Sequence, residues 1–166
     1  MSKVAVIAGS FDPITYGHLW MLEKSLDMFD AVHIVIATNT SKKSRFTAEE
    51  RYQLIINSIE DTPQLQGKNY FVDNLPSHLM LVDYAKYLGA THIVRGIRNT
   101  TDFEYEAQLN LINKQIVPDI ETVFLMPRRD LIEVSSSMVK GLVGLAGWEA
   151  IAKKYVPSTV IDALST

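Results

Sequence analysis

The chain has 166 residues, 47% of them hydrophobic, no cysteine and a formal charge of −3. This length suits a single domain over residues 1–166 with one sizeable core, and the small acidic excess argues against general adhesion to nucleic acid or anionic membrane, so any anion must be bound by a local cluster. Lack of cysteine excludes a disulfide framework, a thiolate zinc site and a cysteine nucleophile, and with no apolar run near the ~18 residues that span a bilayer and no signal-peptide pattern, a soluble cytoplasmic protein is the expectation.

From the N-terminus, residues 4–8 read as a strand and 18–28 as a helix, in which Leu19, Leu22 and Leu26 recur at three- or four-residue spacing to form one apolar face. A second strand is predicted over 32–37. Thr47 followed by Glu50 is a capping box that starts the next helix. A strand over 70–72 precedes a helix over 79–88, which Gly89 closes because glycine tolerates the left-handed conformation. After a strand over 91–94, Asp102 is expected to cap a helix whose Leu109, Ile112 and Ile116 face the core. The last strand is predicted over 122–125, and beyond Ser135 the chain reads as helical to its end, broken at Gly144, Gly147 and Pro157. Short β-branched runs alternating with helical stretches predict an α/β fold: a Rossmann-like doubly wound parallel five-stranded sheet, helices on both faces, and a helical C-terminus. Ligands of such sheets sit outside the carboxyl ends of the strands, so the loops after Ala8, Ala37, Val94 and Leu125 are the places to look.

The first of these loops is Gly9-Ser10-Phe11-Asp12-Pro13-Ile14-Thr15-Tyr16-Gly17-His18. Its glycines let backbone approach a ligand, Ser10 and Thr15 offer hydroxyls, and His18 stands at a helix start, where free amides and the macrodipole favour phosphate. The plainer reading of such a histidine is a local cap. The loop lacks the Gly-Lys-Ser/Thr ending of a Walker element and the spacing of Gly-x-Gly-x-x-Gly. Ser41-Lys42-Lys43 follows the second strand and offers ammonium groups to the same anions, or else is a solvated surface pair. Arg95-Gly96-Ile97-Arg98, followed by Asp102-Phe103-Glu104-Tyr105-Glu106, places two bidentate donors at a strand end; the alternative is an ion-pair lattice with Glu104 and Glu106. Val134-Ser135-Ser136-Ser137 opens the late helix, as a phosphate contact or an ordinary cap.

The first loop resembles the Thr/His-x-Gly-His signature of the nucleotidylyltransferase superfamily. Together with Ser-Lys-Lys, Arg-Gly-Ile-Arg, Asp-Phe-Glu-Tyr-Glu and Ser-Ser-Ser-Met-Val-Lys, in that order over nearly the whole chain, it resembles the phosphopantetheine adenylyltransferase family. Enzymes that act on nicotinamide mononucleotide or glycerol phosphate share the Gly-His element but not the later pair. The resemblance implies transfer of an adenylyl group from ATP to 4′-phosphopantetheine, giving dephospho-coenzyme A and pyrophosphate, with Mg²⁺ on the phosphates and a homohexameric assembly. It implies that His18 stabilises the transition state, that Ser10 and Lys42 hold the acceptor phosphate near the reacting phosphorus, and that Arg95 is a further acceptor-phosphate residue. Ser10, Phe11, His18, Gly96, Ile97, Arg98 and Glu106 match the ATP site, as do Leu131, Ile132, Glu133, Val134, Ser135, Ser136 and Ser137; Leu81 matches an apolar contact with the pantetheine arm. Three departures stand out: Ser10 in place of threonine, Tyr16 in place of the usual asparagine, and Leu131-Ile132-Glu133 in place of a more aromatic stretch. Transfer to another phosphorylated acceptor, such as nicotinamide mononucleotide, and non-catalytic nucleotide binding are the competing readings.

Overall fold

The structure, a computed structural model, describes residues 2–38 and 43–166. Five parallel strands form one sheet: β1 (Val4–Gly9), β2 (Ala31–Ile36), β3 (Tyr70–Asn74), β4 (His92–Gly96) and β5 (Glu121–Leu125), in the order β3-β2-β1-β4-β5. All five predicted strands are present, each within two residues of its expected ends. Central β1 pairs with β2 on one side (Ile7 opposite Ile34) and β4 on the other (Ile7 opposite Val94). Its continuous apolar run follows from burial on both faces.

The two faces are filled by different stretches of chain. Ala5 and Ile7 pack with Leu19, Leu22 and Leu26 of α1 (Tyr16–Met28), and with Leu54, Ile55 and Ile59 of α2 (Ala48–Glu60). The C-terminal helices α5 (Ser136–Leu142), α6 (Trp148–Ala152) and α7 (Ser158–Leu164) join that core through Val139, Ala152, Val160, Ile161 and Leu164. Val6 and Ala8 instead meet Val82 and Ala85 of α3 (Leu81–Tyr87). Crossovers before β3 thus lie on one face and α3 on the other, so the chain reverses direction between β1 and β4. There the loops at the strands' carboxyl ends part and leave a crevice.

Local signals are realised closely at most boundaries. Thr47 and Glu50 form the reciprocal capping box of α2, and Gly89, at φ 72°, follows the end of α3. Two expectations are corrected at α4 (Thr100–Ile116). Its cap is Asn99, whose side chain accepts from the Asp102 N–H at 2.8 Å; Asp102 is the third residue inside the helix, the recipient of the cap. No residue of α4 is buried, so Leu109, Ile112 and Ile116 do not enter the core, and Ile112 is 47% exposed. A helical period identifies an apolar stripe but not what covers it.

Candidate active site

The crevice between β1 and β4 is a cavity of about 230 Å³. The 9–18 loop enters it from β1, turning at Phe11 (φ 46°), whose buried ring lies under Gly9 and meets the His18 ring edge-on at 5.0 Å. Thr15 caps α1, and His18 completes the box: Nδ1 accepts the Thr15 backbone N–H at 3.1 Å. The capping role and a chemical role are therefore compatible. With Nδ1 occupied as an acceptor, a neutral ring carries its proton on Nε2, which no group among the described residues accepts. Burial, aided by the nearby Arg98 guanidinium, lowers the pKa of His18 to about 4, so the ring is neutral at pH 7. His18 lines the cavity as an uncharged donor.

Across the crevice, Arg95 and Arg98 leave the end of β4. Arg95 donates through Nε and Nη2 to the two Glu106 carboxylate oxygens, at 2.7 and 2.5 Å, and through Nη1 to the Ala8 carbonyl at 2.9 Å. The ion pair weighed against phosphate binding is thus present, with Glu106 and not with Glu104. It does not exhaust the residue, because a guanidinium has five donors and two remain. Arg98 grips Asp102 through Nε at 2.9 Å and more weakly through Nη2, which draws Asp102 below the usual carboxylate range. Gly96 lines the cavity, whereas Ile97 is buried and donates its N–H to the Leu125 carbonyl.

The segment 131–137 divides by side-chain direction. Leu131, Val134, Ser135 and Ser136 line the cavity beside Trp20, Met21 and Pro127, but Ile132, Glu133 and Ser137 are exposed and do not. The carboxylate of Glu133 therefore does not enter the cleft. Ser135 is the cap of α5, accepting from Met138 N–H, while the Ser136 hydroxyl donates to the Pro13 carbonyl at 2.7 Å. Tyr16 turns away, into a separate hollow with Arg128 and Lys154. Ser10 is exposed at the loop's outer edge and is not among the cavity's lining residues. Lys42 lies outside the described residues.

A second cavity, of about 180 Å³, adjoins the first. Leu81 lines it with Met80, Ile93, Leu109, Asn110 and Asn113, and the Arg95–Glu106 pair belongs to the walls of both. Asn110 Oδ1 is buried there without a hydrogen-bond partner among the described residues.

Asp12 and Lys140, both within the motifs, meet in a contact that no local spacing announces. Asp12, 3% exposed, accepts from the Arg45 and Phe46 N–H groups and from Lys140 Nζ at 2.7 Å. One carboxylate thereby joins the 9–18 loop, the entry to α2 and the serine-led helix. Trp20 was also missed; it is the residue after Leu19 on α1, at the edge of the apolar stripe.

The description "Cytidylyltransferase-like" fits residues 6–142 of this chain. A phosphopantetheine adenylyltransferase of Chromobacterium violaceum is 43% identical over 158 residues, covering 95% of this chain and 93% of that protein. The chain belongs to the phosphopantetheine adenylyltransferase family. Another member, from Neisseria meningitidis, is 42% identical over 96% of this chain and 91% of its own length. The Plasmodium falciparum nicotinic acid mononucleotide adenylyltransferase, solved with NaAD, superposes with a TM-score of 0.76 over 98% of this chain and 94% of that one at 20% identity, a likeness of fold. Family membership covers the whole run of motifs, from residues 9–18 to the serine triplet.

Proposed function

We propose that the chain transfers the adenylyl group of ATP to 4′-phosphopantetheine in the cytoplasm, releasing dephospho-coenzyme A and pyrophosphate. The observation that carries this reading is the pair of adjoining cavities with Arg95 and Glu106 in their common wall. One is the more polar of the two, holds His18 and Arg98, and has the apolar surface of Trp20, Leu131 and Val134 for a base; the other presents Leu81 to a longer, less polar arm. A phosphorylated acceptor lying in the second cavity meets the α-phosphate of a nucleotide in the first at that wall.

The reaction asks for alignment and charge stabilisation. An acceptor phosphate is already ionised at neutral pH, so no base need remove a proton. One of its oxygens forms a bond to the α-phosphorus as the bond to the bridging oxygen breaks, and pyrophosphate leaves in line. The His18 Nε2–H donates to the phosphoryl oxygens as their charge develops. Ser10 and Lys42 hold the acceptor phosphate, with Lys42 contacting both anions. Arg95, held by Glu106 and Ala8, offers its two remaining donors to the acceptor phosphate, while Gly96, Ile97 and Arg98 position the nucleotide. Among the described residues no group of three or more His, Asp or Glu side chains gathers to cage a metal, and Glu106 is committed to Arg95. The site suits Mg²⁺ carried by the nucleotide's phosphates, where it would offset their charge. The assembly is a homohexamer in this reading, with copies of the chain covering the bare face of α4.

Pyrophosphate release in the presence of ATP, Mg²⁺ and 4′-phosphopantetheine tests the proposal. Acceptor-dependent release is expected, and His18→Ala lowers turnover by about 10²–10³ with a smaller loss of ATP affinity, because the interaction strengthens in the transition state. No release under conditions where ATP binds would leave a nucleotide-binding module.

A further inference from the structure

Three cations near the carboxyl ends of the strands have carboxylate partners. Arg95 faces Glu106, Arg98 faces Asp102, and Lys140 faces Asp12. Arg51, in the first turn of α2, is different: it is 2% exposed, yet no carboxylate lies within 4.0 Å among the described residues, and 39–42 contain no acidic residue. Among the described residues its guanidinium donates to uncharged oxygens: Nη1 to the Ser10 carbonyl at 2.8 Å, Nη2 to the Thr38 hydroxyl at 3.3 Å and Nε to the Thr47 carbonyl at 3.3 Å. Neighbouring carboxylates are committed elsewhere. Glu50 accepts from Thr47, Asp12 from Lys140 and two backbone amides.

A buried charge without a counter-ion is costly in a folded chain, since burial strips its hydration. Ser10 and Thr38, which Arg51 holds from beneath, are both exposed and lie just past the carboxyl ends of β1 and β2. Little solvent separates the guanidinium from an anion resting on them, so its field there is weakly screened.

We infer that Arg51 is a positioning residue for the acceptor phosphate, whose uncompensated charge beneath Ser10 and Thr38 is balanced by that anion when it binds. The inference rests on the proposed placement of the acceptor phosphate at Ser10. It assigns the phosphate group of the acceptor, and not the arm or the nucleotide, to this cation.

Calorimetric titration with 4′-phosphopantetheine and with pantetheine, which lacks the phosphate, measures how much the phosphate contributes to affinity. In R51M that ratio is expected to fall by about tenfold or more, as for loss of a charge-assisted contact, with pantetheine and ATP affinities within about threefold of wild type. R51K keeps the charge and loses the fork, so it keeps the ratio to within about threefold even if it melts at lower temperature. A folded R51M with the wild-type ratio overturns the inference. Should R51M fail to fold, R51K decides: collapse of the ratio there means that geometry and not charge is what Arg51 supplies. Wild-type protein that binds no phosphopantetheine defeats the acceptor reading instead, and inorganic phosphate then tests Arg51 separately, with unchanged affinity in R51M as the contrary result.

Discussion

Burial around His18 and the positive Arg98 beside it both disfavour an imidazolium, lowering its pKa from 6.5 to about 4. The hydrogen bond from the Thr15 amide to Nδ1 requires the same neutral ring. Between pH 6.5 and about 4 the unfolded chain therefore binds a proton that the folded chain does not. The contribution of this residue to stability is complete above pH 6.5 and declines as pH falls toward 4. NMR titration of the ring is expected to give a pKa near 4 with the proton on Nε2; a value at or above 6.5 would contradict the assignment. At this scale the sequence showed His18 at a helix start and offered capping and phosphate contact as alternatives. The side chain has two nitrogens: Nδ1 makes the cap, which leaves Nε2 for the proposed phosphate contact. Asp12 and Lys140 illustrate what stays hidden: each sits in a quoted motif, but their contact spans 128 positions and no local pattern announces it. Arg51 is hidden differently, since an arginine in an amphipathic helix reads as solvated until the fold places it under Ser10.

The elements themselves were legible because β-branched runs and the Thr47–Glu50 box are local signals. Helix α4 was the exception in two respects. Asn99 and Asp102 are both good cap residues three positions apart, and only the backbone geometry decides which accepts and which donates. The spacing of Leu109, Ile112 and Ile116 points to the core, yet Ile112 and Ile116 are exposed, as are Phe103, Tyr105 and Leu111, at 38–65% of their full surface. Exposed apolar side chains in such number on one helix suit the interface between copies of the chain that the homohexameric proposal calls for. In sedimentation experiments the wild type is expected at the mass of a hexamer. Leu111→Glu with Ile112→Glu should yield smaller species, while costing the protomer about 0.5 kcal/mol or less per exposed site. A monomeric wild type, or a double variant that still assembles fully, would contradict the proposal for α4.

For the whole molecule, a net charge of −3 coexists with a crevice proposed to take two highly anionic substrates. The parallel sheet reconciles these by bringing the carboxyl ends of β1, β2 and β4 side by side, so that Ser10 with Arg51 beneath it, and Arg95 with Arg98 in the crevice, stand on one edge of the sheet although the net charge is negative. The order of motifs along the chain is enough to point to the family; the proposed division of labour between the two cavities is not legible there, because it depends on Arg95 and Glu106 standing as a shared wall. The choice of acceptor turns on that wall. The direct measurement is kcat/KM for adenylyl transfer from ATP to 4′-phosphopantetheine against nicotinamide mononucleotide under identical conditions. A preference for phosphopantetheine of about 10³ or more is expected, since a cavity shaped by Leu81 and Leu109 gains from the arm and leaves a nucleoside poorly paired. Equal or preferential turnover of nicotinamide mononucleotide would contradict it.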